Sequence, residues 1–552
     1  MGAASSTIAA RPARNLRESV LCASLAGAFA LFVVTVVPRG GDLAAHLYRT
    51  SLVGHGVLVW DNLWFAGQYP LSSYSLLYYP IAALVGNTPL AIIGAVGAAG
   101  MFASVAAREW RSVGRWPART FAVLLAGQVF TAAYPYDLGL ATLLATLWAL
   151  QRKRLWLAAC AIAATLGISP LAFLFLALIL LALFVRERRL DRRALVAGGA
   201  VLAAGGLQLV ILAVTPAPGL VYPYGTWRLV AGLAVAGLGV AVSLRGRGGW
   251  SLASIFIIWA AATIVADLVP SPVGHNLIRA SVFVLPLMLV GAALADFRPR
   301  LLSAVAIAAA LASNVLPYAA MISNRSSSLA AEAAFWQPVV DFLRIHSGPG
   351  YRVEVVPTAN HWEAYYLPRA DIPLARGWYR QLDIADNPTL YATRLTSAGY
   401  RRWLRARGVR YVVLAHLPLE AIDARREARL VRSRATGLDP VFSSRAVNIY
   451  ELPHAEPILT GPGAATVTAM SSSEIDGHVA RRGTYLLRVH YTPYWLIARG
   501  SLCLARARSD MTLLEMTRAG TFALHAIETP GGVVSSLFDT DAPGCRAAAG
   551  AG

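Results

Sequence analysis

Up to about residue 320 the chain alternates long apolar runs with short arginine-bearing breaks, and beyond it the pattern is that of ordinary globular sequence. A helix needs about 20 mostly apolar residues to cross about 30 Å of hydrocarbon. On that measure the runs at 19–38, 86–107, 119–135, 137–151, 154–168, 170–186, 193–214, 226–244, 250–269, 276–296 and 300–320 predict about eleven transmembrane helices. The joints at Tyr134-Pro135-Tyr136 and Ser169-Pro170 leave almost no loop, and their placement rests on proline as a helix boundary. Residues 1–38 read as the first span and not as a cleaved leader, because Pro38-Arg39 is a poor cleavage context.

The breaks are of two kinds. Alternate ones hold Arg11, Arg14 and Arg17; Arg108, Arg111, Arg115 and Arg119; Arg152, Lys153 and Arg154; Arg186, Arg188, Arg189, Arg192 and Arg193; Arg245 and Arg247; Arg298 and Arg300. The other set holds only Arg39, Arg49, Arg228 and Arg279. Basic residues stay on the cytoplasmic side of a membrane, so the first set is expected inside. The N-terminus is then cytoplasmic, and an odd number of spans carries the C-terminal region outside. The expected setting is a multi-pass protein of the plasma membrane with an extracytoplasmic C-terminal domain. The first outer loop, 39–80, is far longer than the others and rich in Trp60, Trp64, Phe65, Tyr69, Tyr74, Tyr78 and Tyr79. Such rings favour the headgroup zone, which predicts a loop lying on the membrane surface as short helices.

A polar linker, 323–328, leads into the soluble part. Residues 351–355 alternate as a strand, 397–407 have a helical pattern, and 409–415 and 446–452 read as further strands, so 330–453 is expected to be a mixed α/β domain. Alternation at 484–491 and 521–527, between Gly- and Pro-rich turns, predicts a small β-sandwich over 454–530. Residues 531–552 read as a flexible tail.

Composition agrees with a bilayer as solvent. The 552 residues are 57% hydrophobic and 14% charged, and mean hydropathy is +0.54. The net charge of +20 would suit nucleic acid. Its placement in short loops between apolar runs assigns it to membrane orientation instead, and no nucleic-acid partner is expected. Cys503 and Cys545 could pair if the C-terminal part is extracytoplasmic.

Candidate chemistry clusters in the outer loops. Asp42, His46 and Arg49 stand at i, i+4 and i+7, one face of a helix, and Asp61 follows Trp60. Asp42 reads either as a general base or cation ligand assisted by His46, or as a plain helix cap. His275 and Asn276 open a late span, and Arg279 lies about one turn inside it. Arg279 can snorkel outwards or hold a lipid phosphate by paired hydrogen bonds. Asp137 begins another span and reads as a partner of the helix dipole. In 360–380, His361, Glu363, Arg376 and Tyr379 crowd a Pro- and Gly-punctuated stretch suited either to sugar or headgroup contact or to packing.

Gly41-Asp42-Leu43-Ala44-Ala45-His46, followed by Trp60-Asp61, by 64–70 (WFAGQYP) and by 74–80 (YSLLYYP), resembles bacterial polytopic proteins labelled "6-pyruvoyl-tetrahydropterin synthase-related" membrane proteins. The label implies no pterin chemistry. That family looks like a branch of the GT-C type of membrane glycosyltransferases, and 408–413 and 491–495 are similar to stretches of its outer domains. The resemblance implies a GT-C-like polytopic fold and an acidic residue in the first outer loop, matched by Asp42, with Asp61 second. It implies transfer of a sugar from a polyprenyl-phosphate donor to a glycan or lipid acceptor. Asp42, His46 and Asp61 would serve catalysis, and Arg49, Arg228 and Arg279, with His275 and Asn276, would bind substrate. No Asp-x-Asp or Asp-Glu pair flanks Asp42, so the cofactor is left open, with a divalent cation at Asp42 as one option. A transporter or lipid flippase, and a non-catalytic scaffold for envelope assembly, are the rival functions.

Overall fold

The computed structural model describes all residues except 1–2, 38–39, 72–73, 188–190, 216–221, 247–248, 323–328 and 528–552. The expected linker, the expected tail and Cys545 therefore lie outside the described residues.

The chain forms two compact units. The first is built from Met1–Leu43, Tyr74–Leu209 and Val221–Arg325, the second from Ala44–Ser73, Val210–Leu220 and Ser326–Gly552. Helices stand at all eleven sites expected of spans: α1 (Ala3–Val36), α4 (Asn87–Glu109), α5 (Arg115–Phe130), α6 (Tyr134–Gln151), α7 (Leu155–Ile168), α8 (Pro170–Glu187), α9 (Arg192–Val214), α10 (Thr226–Ser243), α11 (Trp250–Leu268), a 3₁₀ helix (Gly274–Phe283) running into α12 (Val284–Leu294), and α13 (Arg300–Ile322). Two further helices, α2 (Leu43–Gly54) and α3 (Tyr78–Val85), flank the first long loop. Among the described residues seven helices are long and apolar enough to cross a membrane, and α7 and the start of α8 are shorter apolar helices. The chain is thus a helical membrane protein with a strand-rich C-terminal region. In the bundle α4 packs against α1, α5 and α6. Small residues permit the approach: Ala91, Ala95, Ala98 and Ala99 of α4 are all fully buried.

Among its described residues the second unit holds three sheets. The first has the order β1-β2-β4-β3, with β1 (Arg352–Val355) parallel to β2 (Val409–Ala415) and with β3 (Asp439–Ser443) and β4 (Val447–Glu451) antiparallel. A parallel pair needs a crossover. It includes the helix Ser397–Ala406, whose Tyr400, Trp403 and Leu404 pack with Val409, Val412 and Leu414 of β2. Two four-stranded antiparallel sheets follow. One has the order β10-β11-β8-β5, from β5 (Leu459–Thr460), β8 (Gly483–His490), β10 (Leu502–Arg506) and β11 (Met511–Met516). The other has the order β6-β7-β12-β9, from β6 (Ala465–Met470), β7 (Glu474–Val479), β9 (Trp495–Arg499) and β12 (Gly520–Ala526). Tyr485, Leu487 and Val489 of β8 meet Ile475, Val479, Phe522 and Leu524 of the opposite sheet in one core, as a sandwich requires.

The first long loop is not a surface layer of aromatic rings. Residues 44–73 are built into the second unit, with Trp60 and Leu63 inside the sandwich core and Trp64 and Phe65 fully buried. Backbone bonds lock it in: Asn62 N donates to Ser472 O at 2.7 Å, Leu374 N to Leu63 O at 2.9 Å, and His490 N to Ala66 O at 2.7 Å. Trp64 Nε1 donates to Ala364 O at 2.9 Å. An aromatic-rich loop satisfies the same composition whether it meets headgroups or a protein core; here the core wins because its polar edges find partners within the fold.

Candidate active site

The residues expected to form a site divide between the units. Asp42, Arg228, His275, Asn276 and Arg279 belong to the first, and His46, Arg49, Asp61, His361, Glu363, Arg376 and Tyr379 to the second.

In the first unit one contact stands out. Arg279 Nη2 donates to Asp42 Oδ2 at 2.6 Å, and both side chains are largely enclosed, at 21% and 17% exposure. Two glycines bring these residues into place. A Cβ at Gly40 would stand 2.3 Å from Phe130 O at the end of α5, so only glycine lets the chain before Asp42 lie so close there. A Cβ at Gly274 would lie 1.5 Å from Tyr222 O, where the His275 amide docks at 3.2 Å. This clip fixes the start of the 3₁₀ helix that carries Arg279.

That helix is ten residues long, where 3₁₀ runs beyond about four are uncommon. With three residues per turn, positions three apart stack in rows. Leu277, Ala280 and Phe283 form one row, and all three line an apolar cavity among α4, α6, α8, α11 and α12. Phe102, Leu144 and Phe175 line it too, and it extends to Trp110, just beyond α4. Asn276 and Arg279 fall in the neighbouring row. The polar pair and the apolar cavity therefore share one element.

Around Arg279, the Tyr136 hydroxyl donates to its carbonyl oxygen at 3.1 Å. Asp137, in the first turn of α6, is fully buried, and neither carboxylate oxygen has a hydrogen-bond partner among the described residues. Arg279 is the charge that acts on it. The expectation that Asp137 merely complements the helix dipole passed over this neighbour; its sequence signal was an ionisable residue at a span end, beside Tyr134-Pro135-Tyr136. His275 lies beside Tyr222, ring centroids 5.0 Å apart and planes tilted by 41°, in the fields of Arg228 and Arg279. Arg228 donates to Tyr224 O at 3.1 Å and stands over the Trp227 ring. Asn276 Nδ2 donates back to Pro272 O at 3.2 Å, closing its own turn.

Asp42 does not share a helical face with His46 and Arg49, because α2 begins at Leu43. His46 and Arg49 are each 1% exposed. Arg49 donates to the Tyr379 hydroxyl and lies over that ring, 4.2 Å from its centroid. Asp61 is fully buried and accepts from Tyr48 Oη at 2.9 Å, Leu63 N at 3.1 Å and Gln68 Nε2 at 3.4 Å. Burial pushes its carboxyl up to about 6 against these hydrogen bonds. It pins the loop that delivers Trp60 and Leu63 to the core, in contrast to the catalytic role expected of it.

Most of the 360–380 stretch is interior, and His361, Glu363 and Arg376 line a small cavity there. Arg376 is buried among three carboxylates: Glu354 of β1, Glu427 at 2.7 Å and Asp383 at 3.4 Å. Burial raises the Glu354 carboxyl, against the pull of Arg376. Glu363 accepts from Thr358 N at 3.1 Å and Thr358 Oγ1 at 2.6 Å. His361 lies between Glu363 at 3.3 Å and Glu420 at 3.5 Å. Burial opposes its charge, but Glu420 and Glu363 outweigh it and raise the imidazole to about 10. Burial also opposes ionised Glu420, yet His361 and Arg380 hold it down at about 2.

Among the described residues no group of three or more His, Cys, Asp or Glu is arranged to hold a metal ion. Compared with known proteins, the chain matches no family model and no curated protein.

Proposed function

We propose that the protein is a membrane glycosyltransferase that takes a sugar from a polyprenyl-phosphate donor and passes it to an acceptor at the outer face of the plasma membrane. The observation that carries this reading is the Asp42–Arg279 pair, whose arginine stands on the element whose next row lines an apolar cavity. A lipid phosphate needs a cation for its head and an apolar slot for its chain, and Arg279 with Leu277, Ala280 and Phe283 offers both.

The reaction follows from that pairing. A donor phosphate engages Arg279 and frees the Asp42 carboxylate. Asp42 accepts the proton of the acceptor hydroxyl as that oxygen bonds to the anomeric carbon. The bond from the anomeric carbon to the phosphate oxygen breaks, and its electron pair leaves with the polyprenyl phosphate. Arg279 neutralises the charge that develops there, with Arg228 nearby in the same field.

Sidedness supports the reading. Ala44–Ser73, Val210–Leu220 and Ser326–Gly552 cluster as one unit, which favours a topology with all three on one side of the membrane. Between the first and second lie two long apolar helices, and between the second and third lie four. Both numbers are even, as a shared side requires, and they stay even if α5, α6, α7 and α8 also cross to make eleven. The arginine-poor loops favour the outside for that side. The enclosed Asp137 keeps transport as a second reading, since a lone carboxylate among apolar helices is a usual mark of a proton or ion path.

The test uses purified protein in nanodiscs with radiolabelled polyprenyl-phosphate hexoses and pentoses and an alcohol-terminated glycoside acceptor. Sugar transfer by the native protein, lost in Asp42→Asn, is the expected result. Transfer undiminished in Asp42→Asn removes the base assignment, and lipid movement across vesicles without transfer favours the transport reading.

A further inference from the structure

Tyr494 ties the β-sandwich to the end of a helix that is long and apolar enough to cross a membrane. Its hydroxyl donates to Val214 O at 2.9 Å, and Val210–Leu220 belong to the same unit as Tyr494. Val214 is the last residue of α9, whose apolar window is only 6% buried within the protein and so is left for lipid. The end of such a helix marks the edge of the hydrocarbon. Residues fastened to it stand at headgroup depth.

The strand that begins beside Tyr494 is an exposed edge. In β9, Trp495 turns into the core at 8% exposure, but Leu496 and Ile497 are 45% and 37% exposed. Ile527, whose amide donates to Tyr494 O at 3.0 Å, is 45% exposed as well. Among the described residues β9 ends its sheet and pairs with β12 alone. An open strand edge flanked by bare aliphatics is a template for aggregation in water. At a membrane surface the liability disappears. Headgroups and their water satisfy the free edge, and the aliphatic side chains reach the acyl boundary.

We propose that Leu496, Ile497 and Ile527 form a lipid-contacting edge, seated in the interfacial layer of the bilayer on the side where α9 ends. The assignment does not depend on sugar transfer.

Collision accessibility of spin labels tests it. The full-length protein, its four native cysteines changed to alanine, is labelled at Ile497→Cys or Leu496→Cys, and at Val441→Cys as a water-facing reference that is 40% exposed on β3. Each is placed in nanodiscs of phosphatidylcholine and phosphatidylglycerol and exposed to oxygen and to a nickel chelate. The expected result is an oxygen-to-nickel accessibility ratio several-fold higher at 497 and 496 than at 441. Equal ratios at all sites overturn the proposal. Shielding of 497 and 496 from both reagents also overturns it, because that marks a protein contact such as a second copy of the chain.

Discussion

Arg279 and Asp42, 237 residues apart in the chain, meet in an ion pair of 2.6 Å. The two charged groups face each other directly. A phosphate that pairs with Arg279 would therefore also release the carboxylate for use as a base, coupling donor binding to activation.

Asp42→Asn keeps the shape of the side chain and removes the base. Transfer is expected to fall by about 10²–10⁴-fold, the usual contribution of general base catalysis, with little loss of donor affinity. Steady-state kinetics in nanodiscs checks this, and a change confined to KM would argue for a binding role.

Asp61 behaves differently. Burial raises its carboxyl in the fold to about 6, above the ordinary aspartate value of 3.8, so the folded state holds the proton more tightly. Its stabilising contribution is complete below about 3.8 and is lost as pH rises through 6. Asp61→Asn is expected to fold well at neutral pH and to flatten that part of the stability profile. Asp61→Ala, which strands Tyr48 and the Leu63 amide, is expected to cost about 1–3 kcal/mol per stranded group. Chemical denaturation of the full chain between pH 4 and 7 distinguishes them.

His361 and Glu420 set a pH window for the second unit. The imidazole is raised to about 10, so its contribution is complete below the ordinary histidine value of 6.5 and is lost as pH rises through 10. Glu420 is lowered to about 2, so its contribution is present above the ordinary glutamate value of 4.5 and is lost as pH falls through 2. The pair stabilises most between about 4.5 and 6.5. His361→Gln is expected to lower stability there by about 3–5 kcal/mol, as broken buried ion pairs do, and to remove the alkaline limb of the unfolding profile.

Arg376→Leu leaves Glu354, Asp383 and Glu427 facing one another without a cation. The second unit is expected to lose at least about 3–5 kcal/mol and to become protease-sensitive at neutral pH. A well-folded variant with normal protease resistance would show that the three carboxylates do not need this partner.

The helices were legible in the sequence because a bilayer demands length and apolarity, which composition alone displays. The sites expected at 86–107, 193–214, 226–244, 250–269, 276–296 and 300–320 fell within a few residues of the helices found there, whereas α1 begins at Ala3, well before the expected start at 19. The outer strands were legible where alternation was clean, as in Tyr485, Leu487 and Val489, whose side chains all turn to the core. What stayed hidden depends on distant partners. Trp64 bonds a carbonyl 300 residues away, and Arg376 is matched by Glu427, 51 residues on. Nothing local in 60–69 or 360–380 separates aromatic and charged groups meant for a ligand from the same groups meant for a core. Arg279 with Asp42 was legible as two candidates, but their contact was not, because it requires the close backbone approaches at Gly40 and Gly274.

The most direct measurement is the affinity of undecaprenyl phosphate for the protein in nanodiscs, by native mass spectrometry, beside Arg279→Gln. Saturable binding by the native protein that weakens at least about tenfold in Arg279→Gln, the scale of one lost charge-assisted pair, is the predicted result. Equal binding by both proteins, or none by either, would contradict a lipid-phosphate site at Arg279.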